Sequence, residues 1–340
     1  MNESIVLKES FSIPSVIGKF TLIDKNPYQE IANLINQKKI KYIVTVARGT
    51  SDCAALYSSY IFAKYIGLPS YSMPPSIITL ENSKFDFSQA LVIVISQSGK
   101  SSDLVECEKK CQEMGAITML ISNNENSPII NSANYFFNMN AGIEKSVAAT
   151  KTFVQTLLIL NKLVFICEGR KQINDSIKVL SETLLKDENN QWHIDLVDER
   201  VNSGFILGRG VGFALSNEIS LKFKELCQEM IEPFSSAEVM HGPKSLIQDT
   251  FKLFTLSMND TSGQTVKKDS SEFSKYTKLF YNITSKINSS ENFYFPKNKI
   301  VEFDSIVIMT KFYPWIVKYA QKKGLDPDKP RYLTKVTETF

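Results

Sequence analysis

The chain has 340 residues, enough for two domains of ordinary size. Apolar residues make up 43% and charged residues 22%, a globular balance that excludes long disorder. A formal net charge of +3, with no block of Lys and Arg, excludes nucleic acid and an anionic membrane as electrostatic partners.

The N-terminus, MNESIVLKES, is acidic and lacks the basic end and apolar core of a signal peptide. Residues 1–30 read as an extension, and residues 1–40 hold about one helical stretch with Pro14 and Pro27, too little for a DNA-binding domain. Three apolar runs, Tyr42–Ala47, Ala90–Ser96 and Ile117–Ile121, read as buried parallel strands. Helical patterns follow the first two, over Asp52–Ile66 and Ser102–Met114. Strands alternating with helices predict an α/β fold, a doubly wound parallel sheet whose ligand site lies at the carboxyl ends of the strands. The run Val154–Cys167, interrupted by Gln155, Asn161 and Lys162, is too short and too polar to span a bilayer and reads as a core helix. The polar stretch Lys186–Arg200 reads as a linker.

A second cycle begins near Phe205. FILGRGVGFALSNEISLKFKELC repeats the pattern of VTVARGTSDCAALYSSYIFAKYIG: strand, Arg-Gly, helix. Arg209 minus Arg48 gives an offset of 161, and the same offset carries Ser96 to Ser257, at the end of another apolar run. One offset aligning two strand-to-loop junctions predicts tandem domains, over residues 31–185 and 198–320, with a tail over 321–340. Five Cys, at 53, 107, 111, 167 and 227 with no C-x-x-C, fit a reducing compartment, and a cytoplasmic location is expected. Cys107 and Cys111 share a helix face, but only His193 and His241 exist to complete a zinc site; no metal or other cofactor is expected.

The loop Ser96-Gln97-Ser98-Gly99-Lys100-Ser101-Ser102 follows a strand and precedes a helix. Backbone N–H groups at such a helix start favour a phosphate, although a plain N-cap with polar neighbours has the same composition. Arg48-Gly49-Thr50-Ser51-Asp52 is of the same kind, and two neighbouring strand ends rich in hydroxyls favour a phosphorylated ligand. The counterpart in the second half carries Asp260, whose charge repels an anion, so one anion site per pair of domains is expected. Gly208-Arg209-Gly210 begins a dinucleotide pattern, but Phe213 stands where its third glycine belongs. Lys222 and Glu225 share a helix face, with His241 sixteen residues on; spacing alone leaves a solvated surface pair as the ordinary reading.

In combination, SQSGKSS, SLKFKELCQEMIEPFSSAEVMHGP and PRYLTKVTE closely resemble the isomerase half of glucosamine-6-phosphate synthase. ARGTSDCAALY and the SVAATKT of Ser146–Thr152 resemble the stand-alone deaminases of the same double sugar-isomerase (SIS) family. The resemblance covers about residues 40 to 337. It implies two tandem SIS domains, a hexosamine or hexose 6-phosphate as substrate, and a homodimer with shared sites. It assigns phosphate and sugar contacts to Thr50, Ser51, Ser96, Gln97, Ser98 and Ser101, and places Glu144 and Ala149 on the loop that closes the site. Glu225 matches the base that moves a proton between C1 and C2, and Lys222 the lysine beside it. His241 matches the ring-opening residue, given by the neighbouring subunit, and Lys335 a C-terminal lysine that folds over the sugar.

Departures are Lys100 and Ser101, where the synthase loop has Glu and Thr, and Ala149, where it has Ser. No glutaminase domain with its N-terminal Cys is recognised, so the ammonia-releasing direction, glucosamine-6-phosphate deamination, is expected. One carboxylate over both carbons can perform the proton shift without a metal. Plain aldose–ketose isomerisation and deglycation of a fructosamine phosphate use the same groups. A non-catalytic sugar-phosphate sensor fits less well, because Glu225, His241 and Lys335 are all present.

Overall fold

The computed structural model describes residues 4–187, 191–196, 201–286 and 292–335. The chain divides into two units: Ser12–Lys145 with Ala149–Thr183 and Thr334–Phe340, and Met1–Phe11 with Ser146–Ala148 and Leu184–Leu333. Helix α1 (Ile5–Phe11) belongs to the latter.

The former unit begins with α2 (Ile13–Ile23) and α3 (Tyr28–Asn36). It continues through β1 (Tyr42–Val46), α4 (Thr50–Ile66), β2 (Ser70–Ser72), α5 (Pro75–Thr79), β3 (Ala90–Ile95) and α6 (Ser102–Glu113). Then come β4 (Ile117–Ser122), β5 (Tyr135–Asn138), α7 (Lys151–Cys167) and α8 (Ile173–Lys186). All strands pair in parallel in the order β2-β1-β3-β4-β5. Every residue of β3, ALVIVI, is buried, as a central parallel strand covered on both faces requires. Helix α7 is buried almost all round, so its polar residues need partners. Asn161 Oδ1 accepts from Tyr57 at 3.0 Å, and the Lys162 ammonium lies 2.8 Å from Asp24.

The other unit repeats the plan with β6 (Ser203–Gly208), α9 (Val211–Cys227), β7 (Met230–Ser235), β8 (Lys252–Ser257) and α10 (Thr261–Phe273). It closes with β9 (Phe280–Thr284), β10 (Asn292–Tyr294) and α11 (Phe303–Lys322). Its parallel order, β7-β6-β8-β9-β10, is that of the first sheet. The duplication holds in detail. Adding 161 to the bounds of α4 gives those of α9. Each is preceded by a glycine in the same conformation, Gly49 at φ 58, ψ −133 and Gly210 at φ 59, ψ −135. Positive φ there is open to glycine and strained for other residues, so the Arg-Gly step is what turns each strand into its helix.

Two regions differ from the sequence expectation. Residues 1–40 form three helices instead of one stretch, because both prolines sit where helices start: Pro14 in the first turn of α2 and Pro27 at the N-cap of α3. The stretch Lys186–Arg200 lies partly outside the described residues, yet its middle is anchored, with Trp192 buried and its Nε1 donating to the Tyr294 carbonyl at 2.6 Å. In the tail, Asp328 accepts from Ser4, Ile5 and Val6 and so caps α1, while Val336, Thr337 and Glu338 lie outside the described residues.

Candidate active site

The order β2-β1-β3-β4-β5 reverses direction between β1 and β3, and a crevice opens at the carboxyl ends of strands at such a point. The loops leaving β1 and β3 are Arg48–Gly49 and Ser96–Ser101. A small cleft lies there, lined among others by Thr50, Ser51, Gln97, Ala149, Thr152 and Thr156. Four of these six were expected as site residues from sequence; Thr152 was quoted there only as the end of the SVAATKT motif, and Thr156 only as part of the core helix Val154–Cys167.

Ser96, Ser98 and Ser101 belong to the adjoining loop, outside the lining of this cleft. Ser96 Oγ accepts from the Gly99 amide at 3.1 Å, and Ser98 Oγ from the Lys100 amide at 3.3 Å. Gly99 is at φ 59, and a Cβ there would meet Ser127 Oγ at 2.0 Å; that hydroxyl donates to the Gly99 carbonyl at 2.6 Å. The loop is therefore held in one shape. Ser101 is the N-cap of α6 but makes no side-chain cap, and neither does Gly49 for α4. Neither N-cap residue bonds its helix start, which leaves amides open to an anion, although in the first turn of α6 Asp103 Oδ1 accepts from the Leu104 amide at 2.9 Å while its Oδ2 pairs with Arg48 at 2.6 Å.

The equivalent place in the other sheet is closed. Asp260, at the position of Gly99 after the offset of 161, caps α10 by accepting from the Gly263 amide at 2.7 Å. Its carboxylate takes the helix start that an anion would otherwise use. Ser257 and Thr255 both bond Asn282 Oδ1, and Asn259 bonds Asp304. Gly208 serves packing, since a Cβ on it would lie 2.3 Å from the Gly212 carbonyl.

On α9, Lys222 is wholly buried, so it is not the solvated surface pair that spacing suggests. Its ammonium lies 2.7 Å from Glu225 Oε2 and 3.3 Å from Glu218 Oε1. Glu225 keeps 20% of its side chain exposed, whereas Glu218 keeps none. Tyr313 donates to Glu218 Oε1 at 2.9 Å, and Oε2 is buried without a partner. Burial pushes the Glu218 carboxyl up to about 7 against the pull of Lys222. Glu218 was missed in the sequence reading; its signal is the i, i+4 and i, i+7 spacing to Lys222 and Glu225 on one face.

His241 ends a 3₁₀ turn, Glu238–His241, and is exposed; no hydrogen bond joins it to Glu225 among the described residues. Lys335 lies with its ammonium 3.4 Å from Glu144 Oε2. That carboxylate also accepts from the amides of Thr150 and Thr152 and from the Thr152 hydroxyl, at the start of α7. Among the described residues, no three His, Cys, Asp or Glu side chains converge as metal ligands. The Cys111 thiol is pushed up by its hydrogen bond with Cys107 and by burial, the reverse of what a thiolate ligand needs. No described helix is long and apolar enough to cross a membrane.

Comparison with known proteins agrees with this layout. Residues 34–166 match the SIS domain. The glutamine–fructose-6-phosphate aminotransferase (isomerizing) of Sulfolobus acidocaldarius is 29% identical over 330 residues, 95% of this chain and 53% of the relative. The chain spans about half the length of the curated relatives it matches. A crystal structure from Silicibacter pomeroyi, assigned provisionally as a phosphosugar isomerase, superposes with a TM-score of 0.83 at 28% identity, covering 96% of this chain and all of that one. Glucosamine-6-phosphate deaminase from Thermotoga maritima superposes with a TM-score of 0.74 over 99% of this chain and 100% of its own; at 19% identity this is a likeness of fold.

Two outcomes test the site. Ser98→Asp puts a negative charge into the loop and should weaken binding of a hexose 6-phosphate at least about tenfold by like-charge repulsion; unchanged affinity in a titration would move the phosphate elsewhere. The second concerns Glu218. Its folded carboxyl titrates near 7 against an ordinary 4.5, so between those values the folded protein holds a proton that the unfolded chain has lost. Unfolding free energy therefore falls as pH rises through that window, by at most about 3 kcal/mol. In urea titrations at pH 5 and pH 8, Glu218→Gln should remove this part of the difference. A pH dependence that survives the substitution intact would belong to other groups.

Proposed function

We propose, for a chain that residues 34–166 place in the SIS domain family, that it converts glucosamine 6-phosphate and water into fructose 6-phosphate and ammonia. The observation that carries the reading is Glu225, a partly exposed carboxylate held at 2.7 Å by the wholly buried ammonium of Lys222. Such a group can take and return a proton without a metal. The Sulfolobus acidocaldarius relative acts, by its name, on fructose 6-phosphate, with nitrogen transfer and isomerisation.

The loop Ser96–Ser101, with Thr50, Ser51 and Gln97, holds the phosphate. His241 opens the sugar ring. Glu225 then removes the C2 proton of the open-chain aldehyde, and the electrons of that bond form an enolamine. Lys222 offsets the negative charge that develops at O1. Glu225 delivers the proton to C1, leaving an imine at C2. Water adds to C2, the C–N bond breaks, and ammonia leaves as the carbonyl forms.

Ammonia release from glucosamine 6-phosphate tests the reading directly. Interconversion of glucose 6-phosphate and fructose 6-phosphate without ammonia would replace it by a plain isomerase. Glu225→Gln keeps the shape and loses the base, so kcat should fall by about 10²–10⁴ with little change in substrate affinity. Exchange of the C2 proton in heavy water should stop with it. A Gln variant that still exchanges at the wild-type rate excludes Glu225 as the base.

The chain is further proposed to act as a homodimer in which the exposed His241 serves the partner's site. Glu225→Gln and His241→Asn homodimers should each be nearly inactive, and reassembled mixtures should regain activity. Mixed dimers that form but stay inactive refute sharing.

A further inference from the structure

Glu144 is the most heavily used carboxylate near the cleft, and proton transfer does not require it. Its side chain is wholly buried. It accepts from the amides of Thr150 at 3.0 Å and Thr152 at 3.2 Å, and from the Thr152 hydroxyl at 2.7 Å. The Lys335 ammonium stands 3.4 Å away, from 191 residues further along the chain.

An ordinary helix cap does not explain this arrangement. The N-cap residue of α7 is Thr150, which makes no side-chain cap, and its Oγ1 is buried without a partner. A neutral hydroxyl usually suffices for a helix start, whereas burying a carboxylate is costly unless its charge is answered. Here two sources answer it: the positive end of α7 and the Lys335 ammonium. Neither suffices to explain a charge as well as the two together, since a cap alone needs no charge and a surface ion pair needs no burial. Residues on the first turns of α7 line the cleft, so one carboxylate joins the C-terminal segment to the cleft wall.

We infer that Glu144 is a positioning residue that tethers Lys335 to the start of α7 and so sets where that lysine stands before the sugar arrives. The catalytic consequence rests on the proposed function; the tether itself does not. The lysine is held by one charged contact on a rigid helix start, from which an incoming sugar can draw it without unfolding the cap, because the amides of Thr150 and Thr152 keep the carboxylate in place.

Trypsin gives a readout independent of catalysis, because it must take the Lys335 side chain into its own pocket to cut the Lys335–Val336 bond. Glu144→Gln retains an acceptor for the helix start and removes the charge. It should speed cutting after Lys335 at least fivefold, relative to a small peptide substrate in the same tube, with the urea midpoint little changed. Unchanged cutting overturns the tether. If the variant does not fold, Glu144→Asp, which keeps the charge at the helix start but draws it back from Lys335 by one methylene, should also speed the cutting; no acceleration overturns it equally. For the catalytic consequence, Glu144→Gln should lower kcat about tenfold to a hundredfold. It should cost nothing further in a Lys335→Met background. Independent, additive losses would make Glu144 a cap only. Faster cutting in a protein whose wild type releases no ammonia would leave the tether standing and refute the proposed reaction instead.

Discussion

A lysine ammonium with no access to water must be answered by a carboxylate, and Lys222 is such a lysine. Two glutamates answer it, one on each side along α9. Together they carry one more charge than Lys222 can balance. The deeper one, Glu218, has a carboxyl raised to about 7, and the outer one, Glu225, keeps an exposed edge. Solvent access divides the labour: the residue that cannot be hydrated tends towards the neutral form, and the ammonium is left to orient the residue that can meet a substrate. Tyr313 on α11 fixes the deeper carboxyl by donating to it, so α11 packs where it does partly to complete this cluster.

The duplicated architecture lets equivalent helix starts on a shared backbone be compared. Gly49 and Gly210 turn strand into helix with the same dihedral angles. The difference lies in one side chain on the next loop. Gly99 adds no side chain to the loop before α6 and cannot carry a Cβ without striking Ser127, and the Asp103 carboxylate in the first turn of α6 is paired with Arg48, whereas Asp260 puts a carboxylate ahead of α10 as its N-cap. A helix start binds one negative group well, and in the second sheet the chain itself supplies it.

The central strands β1, β3 and β4 and the helix α7 were legible as apolar runs, and α4 and α6 by apolar residues at helical spacing. The edge strands β2 and β10, of three residues each, were not, because three residues carry no pattern. The offset of 161 was legible because the Arg-Gly step is a backbone requirement that cannot drift. Of the candidate site, the cleft residues Thr50, Ser51, Gln97 and Ala149 followed from loops at strand ends and from resemblance. The burial of Lys222 and the role of Glu218 did not, since a Lys–Glu spacing on a helix reads the same whether it faces water or core. Nor did the pairing of Glu144 with Lys335, which depends on where distant segments of one unit meet.

The unit that holds Lys222 contains another buried lysine, Lys252, whose surroundings differ in kind. Lys252, at the opening residue of β8, meets Glu229 Oε2 at 2.9 Å and the Tyr319 hydroxyl at 2.9 Å. Glu229 Oε1 is bonded in turn by Tyr319 at 2.6 Å and Lys323 at 2.5 Å. Both oxygens of that carboxylate are occupied, and two ammonium groups surround one acid. Nothing in it is left to exchange a proton with a ligand, and it lies at the amino end of its strand, away from the end where ligands bind in such sheets. Around Lys222 the balance is inverted. Two acids surround one ammonium, one oxygen of Glu218 has no partner, and Glu225 reaches the surface. A saturated network specifies a packing, and an unsaturated one retains the capacity to change its protonation. The proton transfer in the proposed function therefore fits the cluster of Lys222, Glu218 and Glu225, and the cluster around Lys252 fits a role in the stability of the sheet.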